Sequence, residues 1–399
     1  PAYSLIPKEL RAEAHLRIGM LLAEHTPAEK REEAIFEIVN QLNRGSPLIT
    51  TVEDRERVAE LNLIAGRRAK LSTAYDSALK YLRAGRALLA EETWERNHQL
   101  IFSIEYLTAE CELLTVTVGL AAGDPLAEVQ KECENGLAFA RRVRFGLVIE
   151  RCEAQLGLIL TLRGLTATFG CLDHEGYSEL DTERRLANSP DLVLAEFYYW
   201  TRKLQAHFFA GDLASAVDAS LHAEPLLWTS AAMFESAEYR LYGALAHAGV
   251  WDHATPEQRP RHFDSVLHHH RQLQIWAEVN PETYEDRAAL VGAEIARIEG
   301  RVLDAQQLYD RAIRQAHKYG FVHNQAIANE IAGRFYAERG YEKIAATYLR
   351  AARACYLRWG ADGKVRQLEE LYPHLNVDKS IPDSTATIVT PIEKLDLAT

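Results

Sequence analysis

Two short stretches of the sequence carry side chains that could bind a metal ion or transfer protons. The run from His268 to His270 offers three imidazoles, but adjacent residues of a helix point about 100° apart and cannot readily share one ion. A solvated helix face is the favoured interpretation of this run. Asp173, His174 and Glu175 could begin an acid–base or metal site, yet nothing nearby in the sequence completes it, which favours a surface loop.

An aromatic run, "EFYYWTRK", could form a platform on which a flat ligand stacks. Its aromatic residues extend from Phe197 to Trp200. Trp200, however, stands near the start of what would be the first helix of a helical pair. Core packing is therefore the favoured interpretation.

The sequence motifs of common enzymes are missing from this chain. It has no GxxxxGK[ST] loop, no GxGxxG after a strand, no HExxH helix, no GxSxG elbow and no kinase catalytic loop. The five cysteines are scattered without a CxxC pair, which argues against a disulfide framework or a zinc knuckle and favours reduced thiols. We therefore expect no enzyme activity and no catalytic, cofactor-binding or metal-binding residue. A catalytic site assembled from distant residues is the alternative.

Composition places the chain among soluble helical proteins. Of its 399 residues 47% are hydrophobic, and only 13 are prolines and 22 glycines, while good helix formers are plentiful. A formal net charge of −12 argues against a nucleic-acid partner. No apolar stretch reaches the roughly 20 residues of a membrane span, and the opening "PAYSLIPKEL" has no secretory pattern. We expect a cytoplasmic location, and the opening reads as a cut from a longer chain.

Small and aromatic residues recur at regular positions in "AGRFYAERGYEKIAATYLRAARA", residues 332–354. Gly333 and Tyr336 share a face of one helix, and Ala345 lies on the contact face of the next. Gly340 stands between the two helices, where a positive φ is accessible to glycine. Because Gly333 and Ala345 are small, the two backbones can approach closely. The spacing predicts a tight helical hairpin.

The same pattern occurs at two places further upstream. Its members there are Gly300, Ala305 and Tyr309 in one case, and Trp200, Gly211 and Ala216 in the other. These positions resemble the tetratricopeptide pattern of stacked helical pairs, although the 40 residues from Gly300 to Gly340 exceed the usual repeat of about 34. The resemblance implies an all-α fold, a right-handed α-α superhelix or tetratricopeptide-like solenoid with irregular repeats.

We predict three segments along the chain. Residues 1–50 form a helical segment, residues 51–375 the solenoid, and residues 376–399 a polar linker with two prolines and no core-forming period. The solenoid contains an irregular insertion at 164–191, which has little helical period. A packed structural insertion is favoured there over a binding loop.

Local patterns in the first third of the chain carry finer predictions. Thr51 and Ser72 are expected to cap the helices that follow them. Residues 94–122 read as a long helical stretch, but the segment "LLTVTVG" within it crowds β-branched residues. A bend or a helix boundary is predicted in that segment.

Segments such as "AELNLIAGRRAKLSTAYDSALKYLRAG" and "ARACYLRWGADGKVRQLEELYP" resemble the helical repeat region of large bacterial multidomain signalling kinases. Those proteins join a serine/threonine-kinase-like domain, an AAA-type ATPase, helical repeats, a GAF domain and a sensor histidine kinase. The stretch "YLRWGADGKVRQLEELYP" is the most specific part of the resemblance. Around residues 111–123 the chain passes from a segment that resembles an early repeat of those proteins to one that resembles a late repeat. The chain is therefore either a naturally short member of that group or one from which a segment was removed.

The resemblance implies a regulatory role without supplying a catalytic residue. Residues 1–50 would follow the ATPase domain, and residues 376–399 would lead into a GAF-like domain. We expect a scaffold that binds protein partners, either the flanking domains or an external protein, and couples the ATPase to the sensor kinase. The alternative is a solenoid that senses a small ligand, which requires a concave pocket with convergent polar groups.

Overall fold

A computed structural model describes residues 7–90, 93–231 and 233–375. Within these ranges the chain forms seventeen α-helices and no β-strand, and a single β-bridge joins His174 to Tyr177. The all-α prediction is confirmed for this part of the chain. None of its helices combines the length and the apolar character needed to cross a membrane. The predicted linker lies outside the described residues.

The α-helices follow one another through mostly short connections. In chain order they are α1 Arg11–His25, α2 Ala28–Arg44, α3 Val52–Leu71, α4 Tyr75–Ala87, α5 Thr93–Ala122, α6 Leu126–Val143, α7 Gly146–Arg163, α8 Glu179–Ala187, α9 Val193–Ala210, α10 Leu213–Ala223, α11 Phe234–Val250, α12 Arg259–Val279, α13 Pro281–Ile298, α14 Val302–Lys318, α15 Val322–Ala337, α16 Glu342–Trp359 and α17 Asp362–Leu371. Short 3-10 helices lie at Lys8–Leu10, Ser46–Leu48, Pro190–Leu192, Glu224–Ser230 and Trp251–His253.

Most helices pack against their neighbours in the chain. Buried apolar side chains form two small clusters among the N-terminal helices and one large cluster that extends from Ala109 to Leu375. The long helix α5 belongs to two of them, because Ile104 contributes to a small cluster and Val116 to the large one. It therefore joins the N-terminal helices to the rest. The superhelical arrangement and the segment boundaries stay predictions.

The hairpin of α15 and α16 shows why a glycine lies at this helix crossing. A Cβ atom on Gly333 would stand 2.8 Å from Leu349 Cγ, which is closer than van der Waals contact allows. Ala345 is buried in the same contact, and Tyr336 stacks on Tyr348 with ring centroids 5.3 Å apart. The missing side chain at Gly333 lets the two helices approach.

The other predicted repeat positions lie at turns and in helix contacts. Gly211, Gly300 and Gly340 follow α9, α13 and α15 with φ values of 83°, 75° and 77°, a region that favours glycine. Trp200 is half-buried on α9, where it stacks on His222 with ring centroids 4.2 Å apart. The positions in the second helices are fully buried: Ala216, Ala305 and Tyr309.

The aromatic run on α9 lies in the core, as predicted. Phe197, Tyr198 and Tyr199 are each at most 1% exposed. Phe197 packs edge-on against Tyr239 of α11, with ring centroids 6.0 Å apart. These rings therefore serve packing, and the stacking-platform alternative is not supported.

The two predicted helix caps have different outcomes. Thr51 caps α3, since its side-chain oxygen accepts a hydrogen bond from the Asp54 N–H at 3.2 Å. The prediction for Ser72 is wrong, because this residue ends α3 and α4 begins after Ala74, which makes no side-chain cap. Thr73 turns the chain between them with a φ of 56°. This extra turn residue moves the start of α4 away from Ser72.

The bend predicted at "LLTVTVG" is wrong. α5 passes through this segment without interruption, and its non-helical backbone lies instead at Asn97, with φ −142° and ψ 59°. Leu113, Val116 and Leu120 are buried. Burial therefore outweighs the low helix propensity of the β-branched residues in the segment.

The irregular stretch 164–191 contains a helix that its pattern did not reveal. Its first half is irregular, and α8 then begins after Ser178, whose hydroxyl oxygen accepts the N–H of Asp181 at 3.3 Å. Some of its apolar side chains are buried in the large cluster, namely Leu172, Tyr177 and Leu186, whereas Leu165 and Leu180 are exposed.

The prediction of a solvated face for His268 to His270 is wrong for two of the three residues. His269 is 3% exposed and packs edge-on against Tyr239 of α11. His270 is half-buried, and its Nε2 lies 3.1 Å from the carbonyl oxygen of Ala288 on α13. Only His268 is exposed. The reason is that α12 packs against both α11 and α13, so that two of its sides are covered.

Acidification should destabilise the fold through the histidines between α11 and α12. Burial, and then the neighbouring His262, lowers the pKa of His247 from 6.5 to about 4. The folded chain therefore keeps this imidazole neutral where the unfolded chain binds a proton, so stability falls as the pH drops below 6.5. His247 alone should make the free energy of unfolding in urea about 2 kcal/mol lower at pH 5 than at pH 7, and other buried histidines with a lowered pKa, such as His269 and His323, add to this difference.

Two variants test the origin of this pH dependence. His247→Phe should reduce the pH dependence of the free energy of unfolding. Part of this dependence should remain, because burial also lowers the pKa of His269. His98→Phe, at an exposed position of α5, should unfold with the wild-type pH dependence. A His247→Phe variant with the full wild-type dependence would contradict the assignment.

Gly333→Ala should weaken the contact between α15 and α16. Its added methyl group overlaps Leu349, and overpacking of this kind costs about 1–3 kcal/mol, offset by up to about 1 kcal/mol of improved helix propensity. We expect a net loss of about 1 kcal/mol in the free energy of unfolding. Gly146→Ala, where a Cβ meets nothing within 4 Å, is the control and should be at least as stable as wild type. If Gly333→Ala has the same free energy of unfolding as the wild type, the proposed overlap with Leu349 is refuted.

Candidate functional site

Seven of the described helices supply most of the buried polar side chains of the large core. They are the odd-numbered helices from α5 to α17, and their interior residues are at most 7% exposed. An ionised group in such surroundings costs several kcal/mol unless it is paired. The residues are Thr117, Gln155, Arg202, Gln205, Glu235, Glu238, Asp286, Arg287, His323, Asn324, Glu330 and Lys364.

A continuous series of hydrogen bonds, here called the polar chain, begins on α7 and crosses to α9. Gln155 Nε2 donates to Thr117 Oγ1 at 2.7 Å, and that hydroxyl donates to Glu235 Oε1 at 3.2 Å. Arg202 Nη2 donates to the same Glu235 oxygen at 3.1 Å, and its Nη1 donates to Gln205 Oε1 at 2.8 Å. Four helices, α5, α7, α9 and α11, are joined in this way.

The polar chain continues from α9 to α15. Gln205 Nε2 donates to Glu238 Oε2 at 2.9 Å, and Arg287 Nη2 donates to the other oxygen of Glu238 at 3.2 Å. Arg287 Nη1 lies 3.5 Å from Asp286 Oδ1, and the second Asp286 oxygen accepts from Asn324 Nδ2 at 2.7 Å. A single hydrogen-bonded path therefore links six helices through the core.

The electrostatics of the polar chain follow from burial and pairing. Burial raises the pKa of Asp286, although the Arg287 guanidinium opposes this effect. Burial alone would lower the pKa of Arg287, but Asp286 and Glu238 outweigh it and raise the pKa. Burial, and then Arg287, lowers the pKa of His323 well below its usual value, so this imidazole is neutral. Positive charge along the polar chain is thus concentrated on Arg202 and Arg287.

An enclosed cavity lies beside the polar chain. It has a volume of about 10 Å³ and is lined by Arg202, Glu235, His323 and Trp359 among others. Within the described part of the chain, both ring nitrogens of His323, Trp359 Nε1 and Glu235 Oε2 have no hydrogen-bond partner. The space is on the scale of one water molecule. A metabolite therefore does not fit here without movement of the surrounding helices.

α17 returns to two helices that lie much earlier in the sequence, in a contact that we call the closure. Lys364 Nζ donates to the Phe209 carbonyl oxygen at 3.1 Å, and Gln367 Nε2 to that of Ala210 at 3.3 Å. Arg366 Nη2 donates to the carbonyl oxygen of Gly164, 202 positions away, at 2.9 Å. These carbonyls end α9 and α7, where helices leave acceptors unpaired and favour positive charge. α17 thus caps both helices.

The buried amino group of Lys364 also connects the closure to α15 and α16. Lys364 Nζ donates to Glu330 Oε1 at 3.0 Å, and the Tyr356 hydroxyl donates to Glu330 Oε2 at 2.7 Å. Burial alone would raise the pKa of Glu330, but Lys364, Arg334 and Tyr356 together lower it. Burial lowers the pKa of Lys364, and Glu330 opposes that change. Each group stabilises the charge of the other.

Backbone atoms meet directly where α17 begins. A Cβ atom on Gly363 would stand 2.6 Å from both Gly164 N and Thr161 O. Both of those atoms belong to the backbone at the end of α7, which cannot rotate away as a side chain can. A glycine at position 363 is therefore required for the closure.

The loop before α8 brings other polar groups together. His174 stacks on Tyr177, and its Nε2 lies 3.2 Å from Glu153 Oε2 of α7. Burial would lower the pKa of His174, but Glu153 outweighs it and raises the pKa. The surface-loop prediction is wrong for His174, whose side chain is 9% exposed, because the loop folds onto α7. The surface-loop prediction holds for Asp173 and Glu175, which are exposed.

Three side chains of this loop region lie within metal-binding distance of one another. One ligand atom each from Cys171, Asp173 and Glu179 lies within 4.8 Å of the others. Asp173 Oδ1, however, accepts the Glu179 N–H at 2.6 Å, and Glu179 Oε1 accepts the Leu172 N–H at 2.6 Å. Both carboxylates thus hold the backbone at the start of α8.

The sequence patterns missed the residues of the polar chain. The composition of two helices could have indicated them. α11 and α13 are buried on nearly every face, yet they carry four charged residues: Glu235, Glu238, Asp286 and Arg287. A charged residue in an otherwise fully buried helix must have a partner. The stretch "YLRWGADGKVRQLEELYP" was singled out by resemblance alone, and its residues form the closure.

Gly363→Ala should loosen the closure. The new methyl group collides with two backbone atoms of α7, and overpacking costs about 1–3 kcal/mol. We expect the free energy of unfolding to fall by this amount and amide hydrogen exchange in α17 to become faster. Glu370→Ala, at an exposed position of the same helix, should change neither. Wild-type exchange of α17 in Gly363→Ala would show that the backbone contact is not needed.

Comparison with known proteins gives one partial similarity. No protein-family model matches the chain. A stretch of 126 residues is 32% identical to Hybrid signal transduction histidine kinase G of Dictyostelium discoideum, which covers 28% of this chain and 4% of that protein. The chain therefore spans a small part of the length of this relative. The similarity is consistent with a signalling-kinase context.

Proposed function

We propose that this chain is a non-catalytic regulatory module of a signal-transduction kinase, in which it binds protein partners and couples the domains on either side. The observation that carries the proposal is the closure of α17 on α7 and α9. Residues 376–399, the predicted linker to a GAF-like domain, directly follow the end of the described chain. A force on that linker would act first on α17, and through it on two helices far upstream.

The strength of the closure suits a reversible contact. Its two outer hydrogen bonds, from Arg366 and Gln367 to helix-end carbonyls, each contribute about 1 kcal/mol, and their loss leaves Lys364 paired with Glu330 and the apolar side of α17 buried. Coupling free energies between distant sites in proteins are commonly about 1–3 kcal/mol. A partner that binds the open arrangement of α17 better than the closed one needs only modest binding energy to shift the equilibrium.

Helical repeats provide the surface for such partners. We propose that α3 to α17, within residues 51–375, form a tetratricopeptide-like superhelix, because consecutive helices pack in pairs and glycine or alanine lies at their crossings. Arrays of this kind present extended surfaces and transmit bending along their length. The pairing of the buried charges with one another, rather than around an open site, supports a scaffold.

The signalling context rests on two kinds of similarity. The partial match to a hybrid signal transduction histidine kinase supports a role next to kinase domains. The resemblance to bacterial proteins with AAA-type ATPase, GAF and histidine-kinase domains names the domains that would be coupled. The identity of those domains and a bacterial origin stay predictions.

A second candidate function is the sensing of a small ligand. It requires a concave pocket with convergent polar groups, and the enclosed cavity beside the polar chain is too small for one. A larger cleft of about 840 Å³, at the ends of α9, α11, α13 and α15, has the necessary size.

Loosening the closure should change the output of the whole protein. Arg366→Ala combined with Gln367→Ala removes two of the three carbonyl contacts and leaves the buried Lys364 in place. In the full-length protein we expect histidine autophosphorylation with ATP to change about fivefold or more. Arg350→Ala, at an exposed position of α16, is the matched control and should leave the rate unchanged.

A binding experiment complements the kinase measurement. The purified chain is immobilised and offered the separately purified flanking domains, with and without ATP. Binding that depends on nucleotide supports coupling within one protein. The proposal fails if the chain retains no partner and the double variant phosphorylates at the wild-type rate.

A further inference from the structure

A cleft lies where four helices of the large core end together. Its walls come from the last turns of α9, α11, α13 and α15 and from the start of α10, and its volume is about 840 Å³. Pockets for small molecules typically measure about 300–1,000 Å³. The floor is apolar, since it is formed by largely buried side chains: Phe208, Leu245, Ile331 and Phe335.

Two arginines of the cleft differ in how their guanidinium groups are used. Arg297 Nη1 donates to Asp252 Oδ2 at 2.7 Å, and its Nη2 lies 3.0 Å from Glu294 Oε2 and 2.9 Å from the Ala248 carbonyl oxygen. Arg334 is partly buried and also lines the cleft. Burial alone would lower its pKa, but the carboxylates of Glu330 and Glu294 act on it through space and raise the pKa. Its side chain forms no direct hydrogen bond or ion pair with any residue that the structure describes. Its planar donors are free to hold a carboxylate in the bidentate geometry that guanidinium favours.

The rim of the cleft has the opposite charge. The carboxylates of Asp212 and Glu338 line it and are exposed, as is that of Asp252, whose charge is shared with Arg297. The C-terminal ends of α9, α11 and α15 add partial negative charge at the same place. An ammonium group at the rim would therefore be stabilised, whereas a second anionic group would be repelled.

From this arrangement we propose that the cleft binds a small zwitterion with an apolar body, an amino acid or a short peptide. The ligand carboxylate would pair with Arg334, its apolar part would cover the floor, and its ammonium group would lie among the rim carboxylates. A dicarboxylate would meet repulsion at the rim, and a simple amine would leave Arg334 without an anion. The charge pattern thus selects for a ligand that carries both signs.

The cleft adjoins the closure at two points. Arg334 lies one helical turn after Glu330, the carboxylate that holds Lys364. Gly211 lines the cleft and follows Ala210, whose carbonyl oxygen accepts from Gln367. A carboxylate bound to Arg334 would weaken the field that this arginine exerts on Glu330. Ligand binding would thus reach α17, and this coupling, unlike the binding itself, rests on the proposed function.

Three dipeptide probes separate the contributions of the two charges. Leucyl-leucine carries both, leucyl-leucinamide lacks the carboxylate, and N-acetyl-leucyl-leucine lacks the ammonium group. Isothermal titration calorimetry with the purified chain should show binding of leucyl-leucine at millimolar peptide or below. Loss of the carboxylate should weaken it about tenfold or more, because a charged bidentate contact is lost.

Variants assign the contacts to residues. Arg334→Gln should lower the affinity for leucyl-leucine about tenfold and leave the affinity for leucyl-leucinamide unchanged. Arg350→Gln, outside the cleft, should bind all three probes like the wild type. If Arg334→Gln unfolds, Glu338→Gln tests the rim, because this side chain is exposed. It should weaken leucyl-leucine but not its N-acetylated form.

Two results would overturn the proposal. One is that none of the probes binds at millimolar concentration, and the other is that all three bind equally to wild type and to the cleft variants. Either result concerns binding alone, because the autophosphorylation assay contains no peptide and reports on the closure. Failure of the ligand site and failure of the regulatory role are therefore distinguishable.

Discussion

Charged side chains in the core impose the constraint on which the rest of the structure depends. Arg202, Arg287 and Lys364 are each at most 3% exposed, and an unpaired charge in such a place costs several kcal/mol. Each of them meets a carboxylate on another helix, on α11 or on α15. A slip of one residue along a helix axis would separate these pairs. The polar chain therefore fixes the register of the helices more strictly than apolar contacts can.

The same constraint specifies where α17 lies. Its buried Val365 and Leu368 supply apolar packing, which any helix with a similar face could provide. The carbonyl ends of α7 and α9 accept only donors, and α17 presents three of them at matching positions. Because Lys364 contacts both α9 and α15, a displacement of either helix changes the surroundings of α17. Apolar burial thus contributes most of the stability of the contact that α17 makes, and the three hydrogen-bond donors determine where α17 lies.

Sequence spacing predicted the hairpins because their determinants are local. Gly333 and Leu349 belong to consecutive helices, and their periodicity is visible in one short stretch. The pairing of polar groups is different, because it joins Thr117 to Glu235 across 118 positions and Arg366 to Gly164 across 202. The pattern within one helix holds no information about such partners. His269 was assigned to solvent for the same reason, since α11, which covers it, is not visible in the pattern of α12.

Stability alone does not account for this arrangement. Apolar residues of similar volume in place of a buried ion pair are often neutral or even stabilising, so a core built for stability has little use for a polar chain. A hydrogen-bonded series does what apolar packing cannot, because each member polarises and positions the next. Here the series runs from α7 to α15, and the closure connects α15 back to α7 and α9 through α17. The polar chain ends at Asn324 and the closure begins at Glu330 of the same helix, so the backbone of α15 connects the two. We infer that the charges are present to link helix positions, which is the property that a coupling module needs.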